Sequence, residues 1–417
     1  MEKARAADIP SSDVRLKNLL AIPVIVASLG YFVDIYDLIL FSIVRVPSLR
    51  AIGLQGKELL DRGVFLLNMQ MGGMLIGGIL WGILGDKKGR LKILFGSIFL
   101  YSAANIANGF VGSIAGYAAW RFIAGVGLAG ELGAGVTLVL ENLPRSSRGY
   151  GTMIVASVGV TGAILANFVA NHFTWRAAYF IGGGLGLLLL LMRIGAFESG
   201  MYREIAHRQI SKGDFLSLFT RRSRFSKYLK SILIGLPIWF AVGVLITFSP
   251  EFAVSLGIAG RISAGEAVMS CYLGLVFGDF VSGFLSQYFG SRKRIVLLFQ
   301  FLTLAAVAAY FMLHGVSTAL FYLHCGIIGF AVGYWAIFIT IAAEQFGTNL
   351  RATVASTVPN FIRGAVIPIT FSFQFLKDRM GIIHSAAIVG AVCLAIAFYA
   401  LSGLEETFDK DLDFIEE

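Results

Sequence analysis

Two carboxylates, Asp34 and Asp37, stand inside the apolar run "LGYFVDIYDLILFSIV" (29–44). Three residues apart on a helix, they sit about 60° apart and share one face. An aspartate at mid-membrane costs about 2.5–3.5 kcal/mol on insertion scales, so such residues face a bundle interior or a watery cavity. A carboxylate there, beside a second one, is suited to load and release a proton. Arg363 stands in "TVPNFIRGAVIPITF" (357–371). Its planar guanidinium offers paired donors that match a carboxylate or a phosphate, so it is expected to hold a substrate anion or to pair with Asp34, Asp37 or Asp279. Asp279, in "LGLVFGDFVSGFL" (273–285), is a third intramembrane acid, fit for substrate contact or for a local cap or pair. Arg121 and Glu131 lie ten apart in "RFIAGVGLAGELGAG" (121–135). Tyr36, Trp239, Tyr272, Tyr334 and Trp335, with Asn360, join them as expected lining residues, a plain core or interface role being the alternative for each aromatic.

These groups need a scaffold, and composition says which kind. The chain has 417 residues, 57% hydrophobic and 14% charged, with 49 glycines, and its mean hydropathy is +0.78. That is too apolar for soluble domains, and abundant glycine suits close-packed membrane helices. The expectation is an all-α polytopic membrane protein in contact with the bilayer. Cys271, Cys325 and Cys393 are too scattered for a disulfide framework or zinc site. The net charge of +9 comes from loop residues and does not imply nucleic acid. No phosphate-binding loop, metal-ligand cluster or nucleophile with a positioned base is recognisable, so neither a cofactor nor an enzyme is expected.

A spanning helix needs about 20 apolar residues. Spans are predicted at 18–44, 62–84, 93–112, 114–140, 149–172 and 177–197, then at 229–256, 264–289, 295–313, 316–343, 352–376 and 382–403. The domain plan is a tail (1–17), a six-helix bundle (18–197), a linker (198–228), a second bundle (229–403) and a tail (404–417). Of the 34 Lys and Arg, 23 fall in the tails and alternate loops that share a side with the linker, 8 in the others, and Arg121, Arg193 and Arg363 within spans. The excess places both termini in the cytoplasm of a cell whose inner (plasma) membrane holds the protein.

The halves repeat each other. "GILGDKKGRLK" (82–92) matches "GFLSQYFGSRK" (283–293) at an offset of 201, and Glu141 and Arg148 match Glu344 and Arg351 at 203. Parallel repeats of this kind are a transporter signature, with the substrate site between them. Carried along the spans, the offsets pair Arg363 with Val160, Asp279 with Gly78 and Arg121 with His324, and a separate alignment pairs Asp34 with Ala241 and Asp37 with Val244. The sister positions of Asp34, Asp37 and Arg363 lack their charges, so the fold does not demand them.

Here the sequence resembles the major facilitator superfamily. "GILGDKKGRLK" is similar to that superfamily's loop between spans two and three, and 121–135 resembles its arginine-bearing fourth span. "FESGMYRE" (197–204) and "LEETFDKDLDFIEE" (404–417) resemble the ends of spans six and twelve in its sugar and organic-ion branches. "GYFVDIYDL" (30–38) is close to the first span of proton-coupled phosphate and metabolite symporters. The resemblance implies twelve transmembrane helices in two pseudo-symmetric six-helix bundles and alternating access. It implies that Asp86, Arg90, Glu141 and Arg148, with Arg121, Glu344 and Arg351, form gates, the second weaker because Gln287 replaces the acid of its loop. The expected activity is symport of a small anion with protons by a monomer, Asp34 or Asp37 carrying the proton and Arg363 holding the anion. A sugar carrier, an organic-cation exporter and a non-transporting receptor on the same scaffold are the alternatives.

Overall fold

The computed structural model describes residues 22–88, 90–131, 133, 135, 139, 143, 145–198 and 215–410. The expected tail 1–17, most of the expected linker, residues 411–417 and Glu141 lie outside them, as do the side chains of Asp86, Arg90 and Arg148. Among the described residues the chain is helical and crosses the bilayer twelve times. Spans one to four begin or run as Ile22–Ala51, Glu58–Lys88, Arg90–Asn108 and Ile114–Leu128. The fifth is Arg145–Val160 and Gly162–His172, interrupted at Thr161, and the sixth is Trp175–Glu198. The seventh joins Arg222–Leu233, Leu236–Phe240, a π-helical Ala241–Ile246 and Ser249–Ser255. The eighth and ninth are Ala264–Tyr288 and Arg292–Tyr310. Thr318–Ala331 and Trp335–Glu344 make the tenth. Thr348–Gly364 opens the eleventh, and Val366–Ser402 holds its remainder and the twelfth, divided at Gly381 with φ 79°. That left-handed conformation suits a residue without Cβ.

Polarity is distributed inside out. Phe99, Phe110, Phe277, Phe284, Leu323 and Tyr399 are exposed, whereas Asp34, Asp37, Arg121, Asp279 and Arg363 are buried. In hydrocarbon every backbone group must be bonded within its own helix. Serines satisfy several helix starts: Ser113, Ser291 and Ser317 accept from Gly116 N, Arg294 N and Leu320 N.

The internal repeat is physical. A Cβ on Gly73 would strike the Phe122 carbonyl, and one on Gly274 the Gly326 carbonyl. Likewise Gly125 abuts the Gln70 carbonyl, and Gly329 that of Cys271. Spans two and four therefore cross in the first half as spans eight and ten do in the second, with backbones in contact. The contacts keep the 201 offset between spans two and eight but require 204 between spans four and ten. Arg121 thus corresponds to Cys325, not to His324, a correction of one residue. His324 instead bonds the Ala306 carbonyl through Nε2 at 2.8 Å. Gly274→Val should force this crossing apart at a cost above about 3 kcal/mol. A thermal melt of the purified variant in detergent checks this, and an unchanged midpoint would refute the tight crossing.

Between the halves, the eleventh span runs along the second and the eighth along the fifth. The first span continues past its expected end at 44 to Ala51, carrying Pro47 and turning Arg45 and Arg50 into helix residues. The reason is Arg45, whose charge is neutralised inside the protein as described below.

Candidate functional site

Asp34 of the first span and Arg363 of the eleventh meet across the two halves, Oδ2 to Nη2 at 3.6 Å, with side chains 0% and 1% exposed. That is ion-pair distance, beyond a good hydrogen bond. Neither carboxylate oxygen of Asp34, and no guanidinium nitrogen of Arg363, has a hydrogen-bond partner within the described protein. The guanidinium carbon lies 5.6 Å from the Trp335 ring centre and 5.9 Å from that of Trp239. The two indoles meet edge to face at 6.2 Å. Arg363, Tyr31, Trp239, Tyr272 and Trp335 line a cavity of about 20 Å³, completed by aliphatic side chains that include Ile35 and Val160. Val160 is the residue that the repeat pairs with Arg363, so both halves place the paired position at the same centre. A water needs roughly 10–15 Å³ on this measure. The cavity holds about one, and any larger guest requires the halves to part.

The other charges form separate groups. Asp37 is fully buried, in the field of Arg121 and beside Asn105. Arg121 donates to Gln70 Oε1 and faces the rings of Phe41 and Tyr179 at 5.2 and 5.8 Å. This cluster belongs wholly to the first half. Glu131, expected among the binding residues, is engaged by Arg193 at 2.5 and 3.1 Å, and Arg193 also bonds the Val26 carbonyl. A Cβ on Gly30 would collide with that carboxylate, so glycine there makes room for the pair. Asp279 Oδ1 accepts from Ala336 N at 3.1 Å. It caps the restart of the tenth helix after the break at Val332–Tyr334 and so fixes the adjoining Trp335, without lining the cavity. Tyr36 bonds the Ala178 carbonyl at 3.0 Å and also lies off the cavity wall. Of the expected binding and lining residues, the structure brings Arg363, Trp239, Tyr272 and Trp335 together with Asp34 and adds Tyr31, while Tyr334 bonds the Ile234 carbonyl off the cavity wall.

Both ends of the cavity are shut by contacts between halves. At the end carrying residues 52–57, Arg45 makes a two-pronged bridge to Glu251 at 2.7 and 2.9 Å. It also donates to the Leu59 and Thr247 carbonyls, with Phe248 beneath at 4.7 Å. Asn171 to Glu266 at 2.9 Å, Lys377 to Asp61 at 2.8 Å and Thr370 to Asn68 at 2.8 Å reinforce that end. At the linker end, Asn360 donates to the Ala129 carbonyl at 2.8 Å, and Gly133 packs against Ser356. Asn360 is therefore a closing contact rather than a cavity residue. Within the second half, Glu344 pairs with Arg292 at 2.6 and 2.8 Å, while Arg351 reaches the Phe346 carbonyl at 3.3 Å. The Arg45–Glu251 bridge was invisible to span prediction, which put Arg45 in a loop. Its one sequence signal is an apolar helix pattern that continues through Val46. A charged hydrogen bond of this kind contributes about 1.5–3 kcal/mol. Glu251→Gln should therefore raise amide exchange in 42–52 and 245–256 by roughly 10- to 100-fold, read by mass spectrometry. Unchanged exchange would show that the bridge does not hold this end shut.

Comparisons agree with this geometry. The sequence profile described as Major Facilitator Superfamily matches residues 20–367. The niacin transporter NiaP of Acinetobacter baylyi is 24% identical over 432 residues, covering 94% of this chain and 95% of that protein. The sialic acid transporter NanX of Escherichia coli is 27% identical over 226 residues, covering 53% and 55%. The solved structure of the proton:xylose symporter XylE superposes with a TM-score of 0.70 at 16% identity, covering 97% of this chain and 98% of that one. With twelve spans, a repeated half and a closed cavity between the halves, the chain belongs to the Major Facilitator Superfamily and is a multi-pass membrane transporter rather than an enzyme.

Proposed function

We propose that the protein is a symporter of a small organic carboxylate with a proton, and that the Asp34–Arg363 pair couples the two. The single observation that carries this is one buried cation shared across the halves with one buried carboxylate. In the empty carrier, ionised Asp34 neutralises Arg363. A carboxylate substrate competes for the same guanidinium, so it binds when a proton has neutralised Asp34. Two arrangements are balanced: the empty ion pair, and the protonated acid with substrate on arginine. The proton alone leaves a buried arginine unpaired, and the anion alone puts two carboxylates on one cation. Either costs several kcal/mol in a closed cavity with room for about one water. The halves therefore close over balanced states only, and that preference is the coupling. Asp37 with Arg121, and Glu131 with Arg193, stay within the first half and set the background field.

The lining favours a flat, mostly apolar acid. Two indoles and two phenols surround the guanidinium, and among the described residues no amide side chain lines the cavity. A sugar carrier needs such amides, but Asn68, Gln70, Asn105, Asn108, Asn167, Asn360 and Gln374 all stand off this wall. A cationic substrate would meet Arg363. The relatives named for niacin and sialic acid, both carboxylic acids, support the anionic reading. With the loop charges setting orientation, the 52–57 end faces outside and both termini face the cytoplasm. The test is uptake into proteoliposomes under an inward proton gradient, using labelled nicotinate, benzoate, phosphate, xylose and choline. Uptake of a carboxylate with proton flux is expected. Uptake of xylose or choline alone would overturn the reading.

A further inference from the structure

Outside the Arg45–Glu251 bridge, at the 52–57 end, a second cavity of about 720 Å³ opens between the halves. Its volume falls within the usual range for small-molecule sites, roughly 300–1,000 Å³, whereas the central cavity holds about one water. Arg50 from the first span and Arg261 from the turn before the eighth both line it. Both are exposed, and no ion pair or side-chain hydrogen bond engages either among the described residues. Two helix starts also face it, Thr174–Trp175 of the sixth span and Ser263–Ala264 of the eighth, and helix N-termini favour anions. The nearby acids are occupied and off the wall. Glu251 is held by Arg45, and Glu266 accepts from Asn171 and Asn167. The apolar side of the wall includes Trp175, Phe173, Pro47 and Pro250. Trp175 is held rigidly: the Arg176 guanidinium covers its ring at 4.3 Å, and Tyr117 stacks on it at 6.2 Å. Arg176 in turn donates to the Gly109 and Val111 carbonyls.

We infer that this vestibule is a docking site for a soluble organic carboxylate, with Arg50 and Arg261 holding the acid group and the fixed Trp175 wall receiving its apolar body. The inference rests on the anionic cargo proposed above. A carboxylate docked here waits directly outside the bridge that must open to admit it. The site concentrates cargo at the entrance, whereas Arg363 binds it for transport.

The first measurement is collisional quenching of tryptophan fluorescence in phosphatidylcholine nanodiscs, with iodide as an anionic probe and acrylamide as a neutral one. Trp175→Phe isolates the share due to that residue. At low ionic strength, iodide should quench the Trp175 component roughly threefold or more better in the wild type than in Arg50→Gln/Arg261→Gln, and the difference should vanish at about 0.5 M salt. Acrylamide should not distinguish them. Equal iodide quenching in the two proteins overturns the site. A wild-type advantage lost on exchanging the lipid for phosphatidylglycerol would assign the vestibule to a lipid headgroup and also overturn it. The second measurement is initial uptake of nicotinate and benzoate. The double variant should show KM raised roughly 3- to 10-fold at low salt with the maximal rate unchanged, and an unchanged KM counts against docking. If the wild type takes up no carboxylate, anion symport fails, and the quenching result still decides whether the vestibule gathers anions.

Discussion

Arg363→Ala is expected to weaken carboxylate binding roughly 30- to 150-fold, the equivalent of about 2–3 kcal/mol for a charged hydrogen-bonding partner. Among the described residues the guanidinium is the one cation on the central cavity wall, and the indoles beside it cannot replace a positive charge. The same change strands Asp34, buried with no other partner, so the empty carrier should also melt earlier. Adding Asp34→Asn removes the stranded charge. The double variant should recover much of the lost stability while its affinity stays low, a coupling that a double-mutant cycle measures. Arg363→Lys should restore stability better than binding, because a point charge lacks the planar fork. Isothermal titration with the transported acid and a thermal melt read the two effects separately. If Arg363→Ala lowered the melting temperature and left affinity intact, the pair would be a structural tie.

Asp34→Asn has the second large expected effect, on coupling rather than on binding. On the proposed mechanism, ionised Asp34 competes with substrate for Arg363 in the wild type. Affinity for a carboxylate should therefore be highest at low pH and fall as pH rises, by up to about tenfold per pH unit once Asp34 is ionised in the empty carrier. The asparagine cannot ionise, so the variant should bind substrate with an affinity that no longer follows pH through that range. It should also lose accumulation driven by a proton gradient while exchanging labelled for unlabelled substrate across the membrane. Paired measurements of gradient-driven uptake and exchange in proteoliposomes decide this. Gradient-driven accumulation by Asp34→Asn would move the proton to another acid, with Asp37 beside Arg121 next in line.

The fold was legible because hydrocarbon imposes a simple rule on sequence. Long apolar runs marked the spans, and glycines at one offset marked the duplication. Asp34, Asp37, Asp279 and Arg363 stood out for the same reason, since a charge in such a run needs a cause. What those residues touch was legible only as a short list, with Asp34, Asp37 and Asp279 as the candidate partners of Arg363 and a first-span acid as that of Arg121. The partner of Asp34 lies ten spans away, and no local spacing distinguishes Arg363 from Arg121 as its cation. Glu131 read as a binding residue because its neutraliser, Arg193, comes from a different span. Asp279 read equally well as a cap or a contact until the break at Val332–Tyr334 supplied a helix start for it to cap. Arg45 was lost to a boundary. A loop was inferred where charge began, although the helix runs on because Glu251 awaits that charge in the other half. The one-residue error at Arg121 has a similar source: an offset measured in loops was carried into a span whose backbone contacts keep another.

The lone ion pair at the centre also has an electrical consequence. Empty, Asp34 and Arg363 cancel. On the proposed mechanism, the cavity loaded with one proton and one monovalent acid is again neutral, with the acid group on arginine and the proton on aspartate. Neither half of the cycle then moves net charge through the membrane field. A single uncompensated charge would couple to that field by about 2.3 kcal/mol per 100 mV, enough to bias every turnover. A carrier built on this pair takes its drive from the pH difference and leaves membrane voltage unspent.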